Sequence, residues 1–74
     1  SRLSSWEAKE LEGLPDAIAA LEAEQQELNG KLADGAIYRD DPAGAAAIQQ
    51  RLAAIEDELM ARLERWELLE SKRG

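Results

Sequence analysis

The chain contains no cysteine, no histidine and no phenylalanine, and aromatic residues make up only 4% of it. Without cysteine there is no disulfide staple, no thiolate nucleophile and no sign of the redox compartment. Without histidine the commonest general base and the usual metal-ligand pairs are missing. No apolar run reaches the length of a membrane span, and no signal-peptide pattern opens the sequence. Cations are scarce: nine lysines and arginines against sixteen acidic residues give a net charge of -7. Phosphate affinity rests on clustered cations, so this balance argues against a protein that coats a polyphosphate. With 74 residues the chain makes one small domain, too short to wrap a substrate cavity around its own core.

What is present is alanine, leucine and glutamate, the composition of long helices and coiled coils. Three signals punctuate it: Gly13-Leu14-Pro15, the stretch from Asp34 to Asp41-Pro42, and the terminal Gly74. Proline is tolerated at the first helical position, where the missing amide has no intrahelical acceptor. Pro15 therefore reads as a helix start with Asp16 at its positive end, and Asp41-Pro42 as an N-cap followed by a second start. Ahead of Pro15, residues 4–12 read as a short helix capped by Ser4 or Ser5, with Glu7 in its first turn. The expected division is a short helix at 4–12, a first arm at 15–33, a polar turn at 34–41 and a second arm at 42–71. Residues 1–74 then form a single domain.

Periodicity sets the architecture. Leu11, Leu14, Ile18, Leu21, Gln25, Leu28 and Leu32 recur at steps of three and four. Ile48, Leu52, Ile55, Leu59, Arg62, Trp66 and Leu69 do the same on the second arm. Both are heptad seams with one polar interruption each. A single fold-back axis in the turn pairs them throughout, from Leu32 with Ile48, through Leu28 with Leu52 and Leu21 with Leu59, to Leu14 with Trp66 and Leu11 with Leu69. The expected fold is all-α: an antiparallel two-helix coiled-coil hairpin with a short N-terminal helix. Near Arg62 the register has an alternative, in which Leu63 turns inward and the guanidinium reaches out to water. Met60, Leu63 and Leu68 lie beside the seam, either widening the core or offering surface to another chain.

No arrangement of reactive groups appears. The carboxylates Glu22, Glu24, Glu27, Glu56, Asp57 and Glu58 fall on faces the heptads leave in water. Asp34, Asp40 and Asp41 do not follow the spacing of a calcium loop. No catalytic residue, metal ligand or cofactor site is expected in this chain. Trp66 reads as a plug at the open end of the hairpin, against the alternative of a stacking platform for a base. Tyr38 reads as a lid on the tip, against an exposed recognition aromatic. The cations gather at the end that carries the termini: Arg2, Lys9, Arg62, Arg65, Lys72 and Arg73. Of these, Lys9, Arg62, Arg65, Lys72 and Arg73 form a candidate phosphate-binding footprint. Glutamates share that end, so ion pairs along the helix surfaces are the alternative.

One ordered set of elements runs from end to end. Leu3-Ser4, Glu7, Glu10-Leu11-Glu12 and Leu14-Pro15 are followed by Ile18, Leu21-Glu22, Leu32-Ala33-Asp34, Tyr38 and Asp41-Pro42. Arg51-Leu52, Ile55-Glu56, Glu58-Leu59, Arg65-Trp66-Glu67 and Leu69-Glu70 complete the pattern. Taken together it resembles the C-terminal domain of Uup-type ABC-F ATPases over nearly the whole chain. Where that family carries an aromatic directly after Leu-Ser, this sequence has Ser5, with Trp6 next. The resemblance implies a domain excised from a longer cytoplasmic ATPase with two ABC cassettes, which would hold the ATP and magnesium. It further implies a non-catalytic accessory role linked to nucleic acid, DNA or ribosomal RNA, weakly and without sequence preference. The alternative role is a structural hairpin that docks on a protein partner or on the cassettes. No membrane partner is expected.

Overall fold

Ser4 fixes where the first helix begins. Its hydroxyl accepts the Glu7 amide at 3.0 Å, and the Glu7 carboxylate accepts the Ser4 amide at 3.1 Å. This reciprocal capping box satisfies two amides that a helix start leaves without partners. The computed structural model describes residues 2–73; Gly74, read above as the last punctuation, lies outside them. Among these residues there are three helices and no strand: α1 (Ser5–Leu32), α2 (Ala36–Asp40) and α3 (Pro42–Arg73).

The expected break before Pro15 is absent. The segment 4–12 is not a separate helix, and the arm expected at 15–33 is the continuation of one helix that passes straight through Gly13-Leu14-Pro15. An interior proline removes one backbone hydrogen bond and costs about 3 kcal/mol. Continuity places Leu11, Leu14, Ile18 and Leu21 in one buried stripe. Burying Leu11 and Leu14 alone contributes about 1.5–3 kcal/mol each, enough to offset the proline. Pro15 itself faces solvent, where its ring displaces nothing in the core.

The turn is also more ordered than a polar loop. Asp34 Oδ1 accepts the Ala36 amide at 2.9 Å, and Gly35 takes a positive φ of 75° that a side chain would disfavour. The one-turn helix α2 follows, its first two residues, Ala36 and Ile37, half-buried. The start of α3 is as expected: Pro42 is its first residue, and Asp41 Oδ1 accepts the Gly44 amide at 3.0 Å.

α1 and α3 lie against each other in a rod of 54 × 16 × 15 Å. Their cross-connections run in opposite order along the two helices. Glu24 meets Arg51, Glu10 meets Arg65, Glu7 meets Lys72, and the Arg2 amide donates to the Lys72 carbonyl at 3.3 Å. The core is a narrow stripe containing Leu11, Leu14, Ile18, Leu21, Ala45, Ile55 and Leu69, with Ile55 and Leu69 at 0% exposure. Leu11, Leu14 and Leu69 form one cluster, and Leu3 and Trp66 pack onto it. Two expected layers thus meet there, Leu11 with Leu69 and Leu14 with Trp66. Gln25, Leu28, Leu32, Ile48, Leu52 and Leu59 are half-buried. Arg62 and Leu63 are both exposed, so neither register drawn for that turn fills the core.

Candidate functional site

The end of the rod that carries the termini holds most of the polar organisation. Arg65 grips Glu10 with two parallel bonds, Nε to Oε2 and Nη2 to Oε1, each 2.8 Å. This fork geometry is the one a guanidinium forms best with a carboxylate. It holds the Glu10 carboxyl below its usual value of 4.5, as the Lys72 ammonium, with help from the Ser4 amide, does for Glu7. Farther along, Arg51 makes the same bidentate contact with Glu24, both bonds at 2.8 Å, and also reaches Glu58 at 3.5 Å. Glu24 is lowered by that hydrogen bonding and the Arg51 guanidinium raised by it. Each resolved carboxylate shift among the described residues is downward, toward the ionised form. A general acid needs the opposite displacement.

The candidate cations divide into two groups. Arg65, Lys72 and Arg73 are engaged by Glu10, Glu7 and Glu70, the last at 3.0 Å. Lys9 and Arg62 are exposed and make no ion pair among the described residues. Three of the five cations in the footprint read from the sequence are therefore already partnered. The Glu10–Arg65 pair bridges an offset along the paired seams, where Leu11 meets Leu69 at the level of Glu10, so seam spacing alone does not predict it.

Beside these pairs lies a groove of about 720 Å³, lined by Leu3, Ala8, Leu11, Glu12, Pro15, Trp66, Glu70 and Arg73. Trp66 is half-buried here, its ring packed against the Leu11, Leu14 and Leu69 cluster and its remaining face in the groove. Met60 (62% exposed), Leu63 and Leu68 do not widen the core; all three face solvent, as does Trp6 at 70%. At the opposite end the Tyr38 hydroxyl accepts a hydrogen bond from the Gln49 amide at 3.0 Å, tying α2 to α3 while nearly half of the ring stays exposed. No set of three acidic, histidine or cysteine side chains that could hold a metal ion occurs among the described residues. No helix there is long and apolar enough to cross a membrane.

Residues 2–71 match the ABC transporter C-terminal domain family. The chain belongs to that family. As an ABC transporter C-terminal domain it is an accessory unit and not a catalytic cassette. It is 35% identical over 71 residues to the ATP-binding protein Uup of Escherichia coli (strain K12). The alignment covers 96% of this chain but only 11% of that relative, so the chain spans about a tenth of the protein it matches. No solved structure matches. The resemblance read from the Leu14-Pro15, Asp41-Pro42 and Arg65-Trp66-Glu67 elements is thereby established as a family relationship.

Proposed function

We propose that this domain is the antiparallel coiled-coil hairpin at the end of a cytoplasmic, two-cassette ABC-F ATPase, and that it adds weak contact with nucleic acid. ATP and magnesium belong to the cassettes of that parent. The observation carrying the reading is the state of Lys9 and Arg62. Both are exposed, without an ion pair among the described residues, and at the end of the rod where cations concentrate. Arg65, Lys72 and Arg73 would join by exchanging a carboxylate for a phosphate oxygen, which limits their contribution. Binding is then of the sequence-independent kind, with Kd of about 10⁻⁴–10⁻⁶ M at physiological salt, since no helix presents a row of base-reading side chains among the described residues. DNA and ribosomal RNA offer the same backbone charge.

The test is titration of a short duplex, DNA and RNA in parallel, into the labelled domain at several salt concentrations. Chemical-shift changes are expected around Lys9 and Arg62. Lys9→Glu with Arg62→Glu should weaken binding and flatten the salt slope by about one unit per lost phosphate contact. Shifts confined to Tyr38 and the tip, or none at low salt, would refute the reading. A second reading, docking onto a protein surface, is favoured by a separate observation: the groove beside Trp66 and the apolar side chains left in water around it.

A further inference from the structure

A pair of helices leaves a concave seam along each flank, and a third helix laid in that seam is the ordinary way to complete a bundle. On one flank of this rod the lining has the composition such a guest requires. Along α1, Ala8, Glu12, Pro15 and Ala19 recur at steps of four, three and four, and all four are exposed. The first three line the groove. Apart from Glu12 the side chains on that wall are small, and Ala8, Pro15 and Ala19 allow a neighbouring backbone to approach to the usual 8–10 Å or so between helix axes. Along α3, Met60, Leu63, Trp66 and Glu70 follow at steps of three, three and four. Trp66 and Glu70 line the groove, and Met60 and Leu63 extend the same face into solvent. The packing of Trp66 on the Leu11, Leu14 and Leu69 cluster sets Trp66 at about the height of Pro15 and Met60 at about that of Ala19, so the two walls face one another across the seam.

Charge selects among possible guests. Glu12 and Glu70 stand on opposite walls of the groove, and Arg73, the cation lining it, is held by Glu70 at 3.0 Å. The domain as a whole carries a net charge of -7, so a second copy would bring like charge against like along this seam. Pro15 adds a feature of its own: having no amide hydrogen, it leaves the Leu11 carbonyl without its usual donor four residues on, beside the groove. A lysine or arginine flanking the guest's apolar face can donate to that acceptor.

We propose that the Ala8–Pro15 and Met60–Trp66 flank is a docking seam for an amphipathic helix with an apolar face bordered by lysine or arginine, carried by a protein partner. This rests on the docking reading and is independent of nucleic-acid contact. The guest lays aliphatic anchors against Trp66, Leu63 and Met60, and its cations meet Glu12 and Glu70.

The experiment uses a synthetic four-turn helical peptide with leucines on one face and lysines beside them, titrated into the domain carrying Trp6→Phe. Trp66 is then the sole indole, and its emission should shift to the blue and saturate. Met60→Ser with Leu63→Ser, both at exposed positions, should weaken binding about tenfold or more. Leu68→Ser, on a different face by its spacing from Trp66, should leave it unchanged. Equal binding by a peptide with glutamates in place of lysines would overturn the charge assignment while leaving docking itself intact. No saturable binding by either peptide would overturn both. Concentration-dependent dimerisation of the domain alone, abolished by the Met60 and Leu63 changes, would assign the seam to a second copy and refute the proposal.

Discussion

Gly44 and Asp41 make a test in which one substitution has two different values. Gly44 is the third residue of α3, and a methyl group built on it would run into the Asp41 carboxylate that accepts its amide. Alanine is favoured over glycine in a helix by about 0.8–1.0 kcal/mol. Expelling the capping carboxylate forfeits about 1 kcal/mol of cap. In the natural background the two nearly cancel, and Gly44→Ala should change stability by only a few tenths. Asp41→Ala alone should destabilise by about 1 kcal/mol. Once the carboxylate is gone the methyl loses its nearest obstacle, and Gly44→Ala should then recover the propensity term. The coupling is therefore about 1 kcal/mol, which for a domain of this size corresponds to a difference of about 4–8 °C in Tm. Thermal unfolding followed by far-ultraviolet circular dichroism reads all four members of the cycle. Equal stabilisation by Gly44→Ala in both backgrounds would show that the carboxylate and the methyl do not compete, and the reasoning about this cap would fail.

Gly13, by contrast, sits in mid-helix with open space around it, so Gly13→Ala should stabilise by about 1 kcal/mol in the same assay. Leu69→Ala, at a fully buried position in the Leu11 and Leu14 cluster, should destabilise by about 2–5 kcal/mol in urea, whereas Met60→Ser should stay within about 0.5 kcal/mol. Acidification should weaken the fold. Glu7, Glu10 and Glu24 have folded pKa values below the ordinary 4.5, so their contribution is complete above that value and is lost as pH falls through the lower, folded one. A Tm that holds steady or rises as pH drops below 4.5 would contradict those three ion pairs.

Much of this architecture is legible in the sequence because a heptad seam is a geometric statement. Leu11, Leu14, Ile18 and Leu21 are buried where the steps of three and four put them, and Leu69 and Trp66 meet them at the same end. Pro15 is the misleading residue: local propensity makes it a boundary, and only the burial of Leu11 and Leu14 on the continuous helix overrides it. Ala45, nearly inaccessible in the core, lies three residues before Ile48, but a methyl group carries little periodic signal. The site is less legible for a different reason. Sequence spacing gathers Arg65, Lys72 and Arg73 with Lys9 and Arg62, yet which of them a glutamate occupies depends on the face each side chain takes across the two helices. The groove beside Trp66 has no sequence signature, since it arises from small residues on one helix opposing large ones on the other.

The rod is more than three times as long as it is wide, and its two ends are built differently. The end with the termini is clasped by Glu7, Glu10, Arg65 and Lys72 and by the bond from the Arg2 amide to the Lys72 carbonyl. The far end carries the α2 turn, tied to α3 through Tyr38. Such a body behaves as a lever with its fulcrum at the clasp. A small tilt imposed at the base sweeps Tyr38 through a displacement many times larger, and a load on the tip is returned to the base as torque. Whatever grips the clasped end therefore also governs where the tip can reach.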